Sequence, residues 1–360
     1  MILKIYQSYI INKFLLCTFK VAFVFFGLVV IMSLFEEISF FSEVDVGIYF
    51  PVILVLLNSF SILNQLFPFI FLIGAQFFFI NFIDSNEFNA FKSYGLSNIK
   101  ILKVITLTSF ISGLIIVTLF YNFSALLKFK YIDLKNAYSN DSRYLASVTE
   151  NGLWIKDEYD EQVYFVNAEK ISLNKLYNVQ IMILDNNFSL IEKIFSSEVN
   201  ISKNEWLMTD AIISKGDGKT SKINNYVFYS NFNYQKINNL YSDLSSLTFL
   251  GLLKLRKDYQ VIDYSVTDLS IHIISLYAYP FYLTVVTILS SIIMMNIRHQ
   301  KPKIFYISGG IIISVLIYYI NFFFIALGKN EQIPYTLSIW LPIFLLLILV
   351  LIGVIKLNEK

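Results

Sequence analysis

The chain has 360 residues, of which 56% are hydrophobic, 17% aromatic and only 15% charged, with a net charge of +2 and a mean hydropathy of +0.61. So few charges cannot solvate the surface of a soluble globular protein, and the composition is that of an integral membrane protein. The small net charge gives no electrostatic support for a nucleic-acid partner, and the single cysteine, Cys17, excludes an intramolecular disulfide and a cysteine-based metal site.

The first apolar segment runs from about Phe14 to Phe35. It is longer than a signal-peptide core and no small-x-small cleavage pattern follows, so it is expected to remain as a membrane anchor. The second, Phe50 to Ile83, exceeds the about 20 residues that cross a ~30 Å hydrocarbon layer, so its first turns are expected to project or tilt. Within it Asn58, Ser61 and Gln65 share one helix face leading to Pro68, either as interhelical hydrogen-bonding groups or as the wall of a hydrated or amphiphile-binding cavity. The connection from Asp84 to Ser97 reads as a short helix capped by Asp84 or Ser85 and ended by Gly95. Phe88 and Phe91 would share one face of it, and two Phe shown to the cytosol call for a covering partner. A third apolar segment spans about Ile101 to Leu127.

Between Leu127 and Asp268 the chain turns polar and rich in Asn and Tyr. Segments such as Gln162–Ala168, Val179–Leu184, Glu198–Ser202, Trp206–Ile213 and Tyr226–Asn233 are rich in Val, Ile, Phe and Tyr and separated by Asn, Ser, Gly and Asp, the signature of an all-β domain, as a sandwich or open barrel. The apolar run Val163 to Val166 suggests that both strand faces are covered. A helical period over Leu247 to Arg256 suggests an amphipathic connector. Three more apolar segments follow, about Leu269 to Ile297, Ile304 to Leu327 and Ile333 to Ile355. The expected fold is an α-helical bundle of six transmembrane helices with an inserted all-β domain. The expected domains are residues 1–130 (spans one to three, with the short helix near 84–97), 131–246 (β domain), 247–268 (connector) and 269–360 (spans four to six).

Basic residues in short loops set the orientation. Lys4, Lys13 and Lys20 flank the first span, Lys92, Lys100 and Lys103 separate spans two and three, Arg298, Lys301 and Lys303 separate four and five, and Lys356 and Lys360 end the chain, all on one face of a six-span arrangement. The opposite loops carry Glu36, Glu37, Glu43 and Asp45, and then Lys329 alone. Both termini are therefore predicted cytoplasmic and the β domain extracytoplasmic.

Catalytic patterns are sparse. The G-D-G-K-T run from Gly216 to Thr220 lacks the first glycine of a phosphate-binding loop, since Ile213 stands there. His272 and His299 lie at opposite ends of the fourth span and cannot share a metal, so they read as interfacial histidines. The Asn-x-Ser triplets at Asn122, Asn187 and Asn200 read as ordinary loop and strand residues in an Asn-rich chain. No Asp, Glu or Arg sits mid-span, which removes the usual mark of an ion-coupled transporter.

The segment E-F-N-A-F-K-S-Y-G-L-S, Glu87 to Ser97, resembles the coupling helix of the LptF/LptG (YjgP/YjgQ) permeases, the membrane half of an ABC transporter that extracts lipopolysaccharide. The G-L-W-I-K-D run (Gly152 to Asp157), the Tyr-x-Pro region at Pro280 and I-P-Y-T-L-S-I-W-L-P (Ile333 to Pro342) agree with the family in order and spacing, and the first of these looks more like LptG than LptF. The resemblance covers the whole chain. It implies a jellyroll-like periplasmic β domain, an inner-membrane location, no cofactor or metal, and no catalysis by this chain. Its implied partners are a homologous LptF-like second permease, a cytoplasmic LptB-like ATPase dimer that hydrolyses ATP, a membrane-anchored LptC-like periplasmic bridge protein, and lipopolysaccharide taken into a cavity framed by the first and fifth spans.

Carried over onto this sequence, Glu87 is the carboxylate that docks into the ATPase, with Phe88, Ala90, Phe91 and Gly95 completing the docking helix. Phe26, Gln65, Phe67, Phe69, Tyr319 and Phe323 are implied as cavity lining. One departure is clear: family members can place basic residues after the first span to meet lipid A phosphates, where this chain has Glu36 and Glu37. That points to a less phosphorylated lipid, bridging divalent cations, or phosphate ligands on the partner permease. Other classes read from the same sequence are a mechanotransmission-type ABC permease, which usually has four spans, an envelope-lipid enzyme, for which clustered acid, base or nucleophile residues are missing, and a structural envelope anchor.

Overall fold

The computed structural model describes residues 4–42, 47, 49–136, 153–159, 162–172, 174–184, 190–215, 220–230, 232, 234, 243–261, 266–295 and 303–358. Gly152, Gly216 to Lys219, Asn187, Arg298, His299, Lys301, Glu43 and Asp45 lie outside these residues. The chain divides into two compact units, Met1–Lys128 with Val266–Lys360, and Phe129–Ser265.

Among the described residues six helices are long and apolar enough to cross a membrane. Span one is α1 (Ile5–Phe40) and span two is α2 (Tyr49–Asp84), followed by the short α3 (Glu87–Ser93). Span three is built from α4 (Asn98–Ile115), a π-helical turn (Ile116–Phe120) and α5 (Tyr121–Asn136), and so continues well past Leu127. After the inserted domain and its helix α6 (Phe249–Val261) come α7 (Thr267–Met295), α8 (Lys303–Lys329) and α9 (Tyr335–Asn358), spans four to six. Apolar residues on every side suit a helix to lipid, where all backbone groups must be satisfied within the segment.

Spans two and four form the centre of the bundle: 67% of the residues in the most apolar stretch of each are buried, against 17% in span five and 28% in span one. Polar groups pin the two central spans together. The Tyr279 hydroxyl donates to the Asn64 carbonyl (2.5 Å) and the Ser290 hydroxyl to the Leu72 carbonyl (2.8 Å). Such bonds act as local glue in a medium where apolar contact alone does not distinguish protein from lipid. His272 meets Tyr121 at 3.0 Å, just beyond the π turn, and so serves a contact between spans three and four.

Small residues let helices approach. A Cβ on Gly74 would stand 3.0 Å from the Thr18 backbone, which fixes α1 closely against α2. A Cβ on Gly310 would fall 1.8 Å from the Gln76 amide, so the buried Gln76 side chain occupies the notch left by that glycine and donates to the Tyr306 carbonyl (3.5 Å). Gly310→Val should therefore expel Gln76 and destabilise the α2–α8 contact by about 1–3 kcal/mol. The check is a lowered thermal midpoint in detergent, with partial recovery in the Gly310→Val, Gln76→Ala double variant.

The inserted all-β, jellyroll-like domain contains one six-stranded antiparallel sheet in sequence order: β1 (Leu153–Tyr159), β2 (Gln162–Ser172), β3 (Lys175–Leu184), β4 (Leu190–Asn200), β5 (Glu205–Lys215) and β6 (Thr220–Tyr229). The strands are longer than their apolar runs because polar positions alternate with buried ones, so β4 begins at Leu190 and not at Glu198. Alternation shifts by one residue along a line crossing the sheet. Buried positions run Leu176, Val179, Ile181 in β3, then Ile194, Ser196, Val199 in β4, and Trp206, Met208, Ala211 in β5. These three-residue steps align, since Leu176 pairs with Val199 and Val199 with Met208. Asn178 (φ 51°) and Asp210 (φ 53°) stand in the steps, residue types that tolerate left-handed backbone. The Ser196 hydroxyl lies within reach of the Thr209 and Glu198 carbonyls (2.7 and 2.9 Å), satisfying the disturbed ladder. One face thus stays apolar on both sides of the crease, and Trp206, fully buried, anchors it.

Candidate functional site

The short helix α3 joins spans two and three. Asn86 before it adopts φ 55° and Gly95 after it φ 78°, so both ends turn sharply through backbone conformations that suit Asn and Gly. Sequence reasoning had Phe88 and Phe91 facing outward, and the structure reverses this. Phe88 is buried against Phe82 (ring centroids 5.9 Å), and Phe91 packs on Phe82 (5.3 Å) and Tyr9 (6.1 Å). The reason is that the ends of α1 and α2 carry their own aromatic residues, which give the two rings an apolar seat inside the protein. The helix shows Asn89, Ala90, Ser93 and Tyr94 instead, Tyr94 being 88% exposed.

Glu87, in the first turn of α3, forms an ion pair of 2.5 Å with Lys13 of α1. Partial burial pushes its pKa up, but hydrogen bonds from Lys13, Tyr9 and Ser85, with the Lys13 charge, outweigh this and hold the carboxyl below its ordinary range. Lys13 also lies over the rings of Tyr9 (5.6 Å) and Phe82 (5.7 Å). The result is a knot of Tyr9, Lys13, Phe82, Glu87 and Phe91 that ties α3 to span one as well as to span two. Sequence reasoning used Lys13 only as a topology signal. The usable signal was Tyr9 and Lys13 at i, i+4 on one face of α1.

The same face of α1 continues into a groove of about 660 Å³ within the bundle. Cys17, Val21 and Val24 of α1, Phe69, Ile73 and Phe77 of α2, and Ile307, Ile311 and Ser314 of α8 line it, with Lys20 and Asn81 as further polar groups. Each set follows a helix's three- and four-residue spacing, so three stripes meet in one apolar channel.

Of the six residues implied as cavity lining, Phe69 lines this groove. Phe67 does not: it is buried against Phe71 and against Phe120 (5.0 Å) of the π turn. Two residues apart on a helix means about 200° around it, so Phe67 and Phe69 cannot share one wall. Phe26 packs on Phe60 (5.2 Å), while Gln65, Tyr319 and Phe323 are exposed. In the polar stripe of span two, Ser61 is buried, Asn58 half-buried and Gln65 exposed. In the last turns of α1, not beyond it, Glu36 is exposed whereas Glu37 is buried. Among the described residues no cluster of three His, Cys, Asp or Glu could hold a metal.

No curated protein matches the chain. A family profile described as lipopolysaccharide export system permease LptF/LptG matches residues 8–356, which takes in all six spans, α3 and the inserted β domain. With that match over nearly its whole length, the chain belongs to the LptF/LptG family of lipopolysaccharide export permeases.

Proposed function

We propose that this chain is one permease subunit of an ABC transporter that withdraws lipopolysaccharide from the inner membrane and passes it to a periplasmic bridge. Both termini and α3 face the cytoplasm, the β domain faces the periplasm, and a second, homologous permease completes the cavity. The observation that carries this reading is the knot joining α3 to α1, because α1 is also a wall of the apolar groove. An ATPase dimer docks on the outer face of α3, presented by Ala90 and Tyr94 and held in place by Glu87 and Gly95. Its closure moves α3, the Lys13–Glu87 pair carries that displacement to α1, and the space between spans one and five narrows. Work must be supplied from outside, since each buried methylene of a lipid chain holds it by roughly 0.8 kcal/mol.

The test is purification of the tagged chain from its native membrane in mild detergent, with identification of what accompanies it. Recovery of a soluble ATPase and a second six-span permease is the expected result. A chain that arrives without an ATPase in every mild detergent tried overturns the reading in favour of an anchor or an envelope-lipid enzyme. Tyr94→Ala, which removes an exposed aromatic ring and leaves the knot intact, should lower ATPase recovery by roughly tenfold or more, the loss typical of an aromatic interface anchor, with no change in the permease's thermal midpoint.

A further inference from the structure

Three spans break their own hydrogen-bond ladder at one level of the bundle. Proline has no N–H, so Pro68 within α2 and Pro280 within α7 each deprive the carbonyl four residues earlier of its helical donor. Span three breaks by another route, through the π turn Ile116–Phe120. Contacts bring the three breaks together. Phe120 meets Phe67, the residue before Pro68, at 5.0 Å, and Gly113, just before the π turn, lies so close to Pro280 that a Cβ on it would stand 2.8 Å from the proline Cα. Positions along the helices agree: Pro68 lies 16 residues before Asp84 at the end of α2, Pro280 15 residues before Met295 at the end of α7, and Gly113 15 residues after Asn98 at the start of α4. The carbonyl freed by Pro68 is that of Asn64, and it is the one that accepts from the Tyr279 hydroxyl (2.5 Å). Tyr279 immediately precedes Pro280, so one hydrogen bond joins the two proline breaks. Asn64 also offers a second acceptor, since its side-chain Oδ1 is buried and takes no hydrogen bond among the described residues.

We propose that this layer is a hinge across spans two, three and four, and that the Tyr279 hydroxyl is the latch that sets its resting angle. A hinge absorbs its change at a few positions while the packed parts on either side move as units. The part toward α3 is packed as such a unit: Ile70, Phe78, Phe79 and Phe82 of α2 are fully buried, and Ser290 of α7 donates to the Leu72 carbonyl. The other part of α2 is covered less, with Val52, Ile53 and Leu56 exposed. When α2 bends at Pro68, the hydroxyl passes from the Asn64 carbonyl to Oδ1 of the same residue. It is paired at both angles, and the bare carbonyl sets the cost of bending in an apolar medium. The knot of Tyr9, Lys13 and Glu87 fastens α3 to the lower unit, so a displacement at α3 turns that unit about the layer. The proposal rests on the membrane-spanning bundle and not on the transport reading.

The experiment measures the bend in the full chain, with whatever subunits accompany it, in lipid nanodiscs. Spin labels go on Ile53→Cys and Phe77→Cys, two exposed positions on opposite sides of Pro68, in a Cys17→Ala background that removes the one native cysteine. A straight helix would separate these positions by about 36 Å, and the electron–electron distance distribution reports the straight and bent populations. Tyr279→Phe should raise the bent population relative to the straight one about threefold, the typical strength of one hydrogen bond between spans. Pro68→Ala restores the N–H that the Asn64 carbonyl lacks, so it should narrow the distribution to the straight form and cancel the effect of Tyr279→Phe. Asn64→Leu, which removes Oδ1 and keeps the backbone carbonyl, should lower the bent population. A single narrow distance in both the parent and Tyr279→Phe, or an effect of Tyr279→Phe that is equal with Pro68 and with alanine at that position, would overturn the proposal. A failed search for an ATPase leaves these outcomes untouched, so the two readings fall separately.

Discussion

Replacing Trp206 by alanine is expected to unfold the β domain while the membrane bundle stays intact. Trp206 is fully buried, its ring meets Phe228 (5.9 Å), and its Nε1 donates to the Phe232 carbonyl (2.8 Å). Removing so large a side chain from a packed core costs about 3–5 kcal/mol, and the orphaned carbonyl adds about 1–3 kcal/mol. A domain stability of about 5–15 kcal/mol leaves little after that loss. Hydrogen exchange on the full-length protein should show protection lost across β3 to β6 and kept in α2 and α7. Trp206→Phe, which keeps most of the packing and loses only the hydrogen bond, should be clearly milder. Equal protection in the alanine variant would mean that the sheet does not depend on this core.

Reversing the charge at Glu87 is the second large effect. Glu87→Lys places two ammonium groups where a 2.5 Å ion pair stands, so α3 is released from α1 as well as altered on its own surface. Under the proposed function the ATPase is lost from the purified complex. Glu87→Gln keeps the shape and one hydrogen bond, and should retain part of the association. The pair also sets a pH dependence. The folded-state pKa of Glu87 is depressed, so its stabilising contribution is fully present above the unfolded carboxylate pKa and is lost as pH falls through the lowered value. Retention of the ATPase should therefore weaken on acidification below the ordinary carboxylate range and stay flat from there to neutrality. The Glu87→Gln variant should lack this dependence. An acid sensitivity that is identical in both proteins would place its origin elsewhere.

The spans were legible because twenty or so apolar residues in a row have one stable solution in a bilayer, and the six helices lie where hydropathy placed them. The inserted domain was legible as strands, from alternation and turn residues. Its crease was not, since Asn178 and Asp210 look like ordinary turn residues until the register shows them in line across the sheet. The short helix at Glu87 was legible from its caps, but its orientation was not: which face is covered depends on Tyr9 and Phe82, which come from two other helices. For the same reason Lys13 and Lys20 read as topology charges, although one is an ion-pair partner and the other a groove residue. Phe67 and Phe69 were separated only by helix phase, which an eye scanning for aromatic residues does not weigh.

The uneven burial of the spans has a consequence for assembly. Spans one and five bury few of their residues, yet in a bilayer this exposes nothing to water, so the isolated subunit carries no hydrophobic penalty that would drive it toward a partner. Whatever binds along those faces must compete with lipid by shape, by polar contacts or by the ordering of lipid chains. The strength of a complex formed there is therefore set by the composition and thickness of the surrounding membrane, and detergent chemistry will decide which complexes survive extraction.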